Sequence, residues 1–102
     1  MNDLRINGDR LWASLMELAK IGATPKGGVK RLALTDLDKQ GRDLVVGWMR
    51  ELGLQVRIDE VGNVTGTRPA ADGSTEQPVM TGSHIDTVAT GGKYDGNLGV
   101  LS

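Results

Sequence analysis

The residue pattern predicts an α/β fold, two helices followed by β-strands of a mixed sheet, and three observations carry that reading. Two stretches repeat apolar residues at helical spacing, one alternates apolar and polar residues with period 2, and a short apolar run further on has the character of a strand in a sheet centre. With 102 residues there is room for one domain at most, and 15 glycines with no Phe describe a chain that turns often and has few large side chains for a core.

From Asn7 to Lys20 the residues Leu11, Trp12, Leu15, Leu18 and Ala19 form one apolar stripe; Asn7 or Asp9 caps its start and Gly22 ends it. Gly22 to Leu34 has no helical period and contains Pro25 and Gly27-Gly28, which predicts a long loop with a short extended piece over Val29–Leu34. A second helix starts at Thr35, whose hydroxyl caps while Asp38 reaches back in a capping box. Leu37, Leu44, Val45, Trp48, Met49 and Leu52 mark its buried face, and Gly53 stops it. Both tryptophans stand on apolar stripes and are expected in the core.

Leu54, Val56 and Ile58 then alternate with Gln55, Arg57 and Asp59, a half-buried strand reaching Val61, and after the turn Gly62-Asn63 a returning strand runs from Val64 to Arg68. Pro69 to Gln77 is small and polar, a surface loop. Pro78 to Gly82 reads as a third strand that delivers Ser83, His84 and Asp86 at its C-terminal end, where open α/β sheets place ligands. The last residues, from Asn97, resemble the first turns of another helix capped at Asp95 or Asn97.

Composition excludes several classes of function. Twelve Lys and Arg against 13 Asp and Glu leave no general attraction to nucleic acid or anionic membrane. Absence of cysteine removes disulfides, thiol nucleophiles and Cys-based zinc sites, and a single histidine removes any site needing two from this chain. Met1-Asn2-Asp3-Leu4-Arg5 mixes charges with no apolar run behind it, and no stretch approaches a membrane span, so no targeting signal is expected and the cytoplasm is the default location.

The only histidine lies in Gly82-Ser83-His84-Ile85-Asp86-Thr87, followed by Gly91-Gly92-Lys93-Tyr94-Asp95-Gly96. Strand alternation puts His84 and Asp86 on one side, so Asp86 can accept the second ring N–H of a metal-bound His84, and the glycines let Asp95 fold back toward the same ion. Spacing alone favours a histidine satisfied at a strand end beside an N-capping Asp95, because H-x-D is common by chance. Other motifs fail. Around Gly92-Lys93 a phosphate loop would need glycine at Thr87 and Ser or Thr at Tyr94. Asp36 to Gly47 opens like a calcium loop but lacks the closing Glu and has helical period. Ser83 beside His84 lacks a nucleophile elbow.

The run Thr81-Gly82-Ser83-His84-Ile85-Asp86-Thr87-Val88-Ala89-Thr90-Gly91-Gly92-Lys93-Tyr94-Asp95-Gly96-Asn97-Leu98-Gly99-Val100-Leu101 resembles the first metal-binding segment of the amidase, hydantoinase/carbamoylase group within the peptidase M20 superfamily. Asn7–Trp12, Ile21–Val29, Arg31–Asp36 and Asp59–Asn63 are similar to its carbamoylase branch. The short interval between His84 and Asp95 favours this group over M20 aminoacylases and dipeptidases. The resemblance implies the N-terminal part of an M20-type metallohydrolase catalytic domain over residues 1–102, incomplete, with the lid or dimerisation domain absent. It implies that His84 binds one metal ion, that Asp95 bridges two, and that Asp86 serves catalysis by orienting His84. The cofactors implied are two divalent ions, Zn, Mn, Co or Ni, which polarise a carbonyl and activate water. The substrate implied is a small N-carbamoyl or ureido compound, most simply an N-carbamoyl-L-amino acid, in an enzyme that is a homodimer when complete. The catalytic glutamate and further histidine ligands of the family have no counterpart here, so the chain is expected to be inactive alone. The alternatives are a split subunit that supplies His84 and Asp95 to a partner chain, or a non-catalytic α/β remnant.

Overall fold

The computed structural model describes residues 4–74 and 77–102. Helix α1 (Gly8–Ala19) starts where Asn7 Oδ1 accepts a hydrogen bond from Arg10 N at 3.0 Å, the expected cap. Its buried residues are Leu15, Leu18 and Ala19. Trp12 departs from expectation: it is 56% exposed, covered on one side by the Tyr94 ring at 6.0 Å. It lies in the first half of α1, ahead of the buried residues of that helix.

The connector after α1 is largely exposed but dips into the core at two residues. Gly22 (φ +86°) leaves no room for a side chain, since a β-carbon there would stand 2.5 Å from the Lys30 carbonyl oxygen, and Lys30 N donates back to Gly22 O at 2.8 Å. That closure carries Val29 and Arg31 into the centre of the molecule, both fully buried. Val29 forms isolated bridges with Ala23 and with Gly91.

Helix α2 (Asp36–Glu51) begins as predicted at Thr35, whose side chain accepts from Asp38 N at 3.3 Å. The reciprocal bond is displaced by one residue: Asp38 Oδ2 accepts from Leu34 N at 3.0 Å. Leu34 holds φ +66° to permit this, and its side chain is exposed. Val45 and Val46 are buried, whereas Leu52, expected on the same face, is exposed because it sits at the C-cap. Gly53 (φ +78°) ends the helix, with Gly53 N donating to Arg50 O and Leu54 N to Met49 O, both at 3.0 Å.

Strands β1 (Gln55–Ile58) and β2 (Val64–Thr67) form an antiparallel hairpin pairing Val56 with Gly66 and Ile58 with Val64. Asp59 shapes the turn: Oδ1 accepts from Val61 N and Asn63 N, and Oδ2 accepts from Asn63 Nδ2 at 2.8 Å. α2 packs across both strands. At Gly66 a β-carbon would meet Met49 Sδ at 3.1 Å, so the missing side chain lets the helix approach.

The loop after β2 turns at Ala70–Ser74, where Gly73 N donates to Ala70 O at 2.8 Å; Thr75 and Glu76 of that expected loop, like Met1 to Asp3, lie outside the described residues. The third strand is corrected. Pro78 to Gly82 pairs with nothing among the described residues, and Val79 is fully exposed. The expected mixed sheet is therefore, over these residues, a two-stranded antiparallel one. An apolar run becomes a strand only where a neighbour offers its backbone, and no described segment does. Helix α3 (Asn97–Leu101) follows the glycine-rich loop and packs on α1. Its N-cap is Gly96, with no side-chain cap from Asp95 or Asn97.

The result is a slab 47 × 37 × 20 Å with a radius of gyration of 14.8 Å, larger than the roughly 13 Å of a compact domain of this length. No helix among the described residues is long and apolar enough to cross a membrane.

Candidate functional site

His84 and Asp86 lie in the extended segment leading from Gly82, and Asp95 closes the loop that returns to α3. His84 Nδ1 is 3.0 Å from the main-chain oxygen of Asp86 and 3.5 Å from its Oδ1. His84 Nε2 points the other way, 3.8 Å from Asp95 Oδ1. All three residues predicted from the sequence thus meet. Asp86 approaches the ring with its carbonyl as well as its carboxylate, an acceptor that strand alternation does not disclose. Both acceptors on Nδ1 favour the tautomer with the proton there, which leaves the Nε2 lone pair toward Asp95.

Glycines make the close approach of these segments feasible. Gly91 exchanges two backbone hydrogen bonds with Val29, at 2.8 and 2.9 Å, anchoring the start of the loop to the buried connector. Gly96 (φ +74°) lies against the imidazole, where a β-carbon would stand 2.5 Å from His84 Cε1. Ser83 packs instead toward Gly99 of α3, whose β-carbon would meet Ser83 Oγ at 3.0 Å. This side chain faces a helix and no base, consistent with its exclusion as a nucleophile.

Sequence reasoning missed Arg31. Fully buried, it donates from Nη1 to Leu18 O (3.0 Å) and Ile21 O (2.7 Å), from Nε to Ile85 O (2.9 Å) and from Nη2 to Asn97 Oδ1 (3.3 Å). Its backbone pairs with Thr87: Arg31 N donates to Thr87 Oγ1 and Thr87 N donates to Arg31 O, both at 2.7 Å. Burial pulls the guanidinium pKa below its usual value, opposed by the carboxylates of Asp38 and Asp86. The available signal was slight: Arg31 stands beside Lys30 within Val29–Leu34, and nothing in the sequence marks which of the two is buried. Asn97, also fully buried, completes the link by donating to Lys93 O at 3.0 Å.

Beside His84 and Asp86 an open groove of about 320 Å³ runs between α2 and the hairpin, reaching Asp38, Arg42 and Asn63. Arg42 Nε is buried there without a hydrogen bond, 3.6 Å from Asp38 Oδ2.

The donor set of the His84–Asp95 pair suits a divalent metal. Imidazole nitrogen and carboxylate oxygen are ligands for Zn, Mn, Co and Ni, and ligand bonds of about 2.1 Å span a gap of this size. Two donors do not make a full site, and among the described residues no group of three or more His, Asp or Glu side chains is placed to hold an ion.

No protein-family model matches the chain; its similarity is to individual proteins. It is 53% identical over 98 residues to an N-carbamoyl-L-amino-acid amidohydrolase of Rhizobium meliloti, covering 96% of this chain and 23% of that protein. It is 47% identical over 85 residues to an allantoate amidohydrolase of Bacillus subtilis, covering 83% of this chain and 20% of that one. The fold superposes on the crystal structure of a hydantoinase/carbamoylase family amidase from Burkholderia ambifaria with a TM-score of 0.91 at 54% identity, over 96% of this chain and 24% of the other. The chain spans about a quarter of the length of the relatives it matches. High identity, a shared fold and the recurrence of one kind of amidase among sequence and structural relatives lead to one result: over nearly its whole length this chain is similar to one part of the hydantoinase/carbamoylase family amidases.

Proposed function

We propose that this chain is the part of an M20-type metal-dependent amidohydrolase that supplies His84 and Asp95 to a dinuclear centre, and that the complete enzyme hydrolyses linear amide or ureido C–N bonds, with N-carbamoyl-L-amino acids as substrate. The carrying observation is that His84 Nε2 faces Asp95 Oδ1 while Nδ1 is held at Asp86. The amidohydrolase names of the relatives support the reaction class.

In this reading His84 would hold an ion through Nε2, and Asp95, with two carboxylate oxygens and no other partner among the described residues, would supply carboxylate ligands to the centre. Divalent ions, when bound, polarise the scissile carbonyl and lower the pKa of water. Asp86 holds the imidazole orientation and the proton on Nδ1, which keeps Nε2 available as a ligand. The groove beside His84 admits a small substrate, and Arg42 presents a cation to it. With one imidazole and one facing carboxylate, the chain alone has no activity. Its flat shape and exposed Val79 and Met80 are consistent with packing against further protein.

The test is a chimaera in which this chain replaces the matching quarter of the Rhizobium meliloti relative. With Mn²⁺ added it is expected to hydrolyse N-carbamoyl-L-amino acids, and His84→Ala is expected to lower kcat/KM by about a thousandfold, the loss of several kcal/mol of charge stabilisation. A folded chimaera that is inactive, or one indifferent to His84→Ala, would overturn the reading.

A further inference from the structure

We infer that Arg31 is the positioning residue of the site: through Asn97 and Ile85 it sets the separation of His84 from Asp95. The inference deepens the metal-site reading and rests on it only for the consequence in metal binding.

The two metal-facing groups reach one another from separate segments. Ile85, whose carbonyl accepts from Arg31 Nε at 2.9 Å, lies between His84 and Asp86. Asn97, whose side chain accepts from Nη2 at 3.3 Å, lies two residues after Asp95. One planar guanidinium therefore spans both segments. Both Nη1 donors end on Leu18 O and Ile21 O at the end of α1 and just beyond it, so the span is referred to the core. The five N–H groups of arginine stand in a rigid fork that lysine cannot reproduce.

Two further features show that the space is built for this side chain. A β-carbon on Gly41 of α2 would stand 2.9 Å from Arg31 Cδ and 3.1 Å from Nε, so a bare backbone in that helix admits the arginine. Asn97 opens α3 without capping it; its side chain is spent on Arg31 and on Lys93 O within the loop that carries Asp95. A buried guanidinium with polar partners on three segments is costly to place for stability alone, because well-packed apolar groups stabilise as much. What it adds here is a fixed geometry between His84 and Asp95.

The experiment uses the whole chain, ¹⁵N- and ¹³C-labelled, as wild type, Arg31→Gln, Arg31→Lys and Asn97→Ala. The metal-free readout is the nuclear Overhauser contact between the His84 ring and the Gly96 α-protons. It is expected in the wild type, lost in Arg31→Gln and Asn97→Ala, and not rescued by Arg31→Lys. The second readout is Mn²⁺ broadening of the amides around His84 and Asp95. These two groups of amides are expected to titrate together in the wild type, and separately and about tenfold more weakly in the variants. Asn97→Ala leaves the bonds of Arg31 to α1 intact, so it decides the matter if Arg31→Gln does not fold. A folded Asn97→Ala that keeps the His84–Gly96 contact overturns the inference. A wild type with the contact but no Mn²⁺ broadening overturns the metal reading and leaves the positioning role to be judged on the contact.

Discussion

Gly96 lies flat against the imidazole of His84: a β-carbon on it would stand 2.5 Å from Cε1 and 2.6 Å from Nδ1 and would overlap the His84 carbonyl oxygen. The backbone there is left-handed, at φ +74°. Both steric room and conformation therefore demand glycine at the residue that joins the Asp95 loop to α3. Gly96→Ala is expected to destabilise the fold by about 1–3 kcal/mol and to push the His84 ring off its acceptor on Asp86. Urea unfolding measures the first effect and the imidazole ¹⁵N shifts the second; an unchanged midpoint with unchanged shifts would contradict the packing described.

Leu18 and Trp12 share one helix and opposite fates. Leu18 is wholly buried and Trp12 is mostly exposed against Tyr94. Truncating Leu18 to Ala is expected to cost about 2–5 kcal/mol, whereas Trp12→Ala loses a partly exposed ring contact of about 1 kcal/mol. Thermal unfolding of the two variants checks the order, and the larger loss at Trp12 would show that α1 buries its other face.

The cap at Thr35 is the start signal of α2, and its hydroxyl serves Asp38 N and Leu32 O together. Thr35→Ala is expected to cost about 1 kcal/mol, with Thr35→Ser close to wild type. Faster hydrogen exchange at the Asp38 amide, with the amides of Val45 and Val46 unaffected at low denaturant, would locate the loss at the first turn.

Asp59 governs the acid limit of the hairpin. The side-chain and then the main-chain hydrogen bonds from Asn63, with help from the Val61 and Gly62 amides, hold its pKa below the ordinary value of 3.8 against the opposing effect of desolvation. A carboxyl group with a depressed folded pKa contributes stability that is complete above its unfolded pKa and disappears as the pH falls through the folded value. Protection of the Val61 and Asn63 amides should therefore fall below about pH 4 in the wild type. In Asp59→Asn that pH dependence should vanish; if it persists, another group is responsible.

Much of the fold is legible in local chemistry. Asn7 and Thr35 cap helices because their side chains satisfy nearby backbone donors, Gly53 ends one because it accepts positive φ, and Asp59 with Gly62 and Asn63 turns the hairpin. Each depends on residues a few positions apart, which spacing reveals. The alternation Leu54 to Asp59 locates β1 for the same reason. Pro78 to Gly82 shows the limit, since apolar character makes a strand possible and a hydrogen-bonded neighbour makes it actual.

The site divides in the same way. That His84, Asp86 and Asp95 belong together follows from the order of residues along one segment and from glycines that permit the return. Arg31 does not follow, because it lies 54 residues from Ile85 and 66 from Asn97, and no local period ties them. Burial resolves it: a guanidinium removed from water must find acceptors, and packing of the connector against α1, α2 and the loop brings carbonyls from three segments to one point. Local chemistry named His84 and Asp95, which stand 3.8 Å apart, and long-range packing chose Arg31, which ties together the segments that carry them.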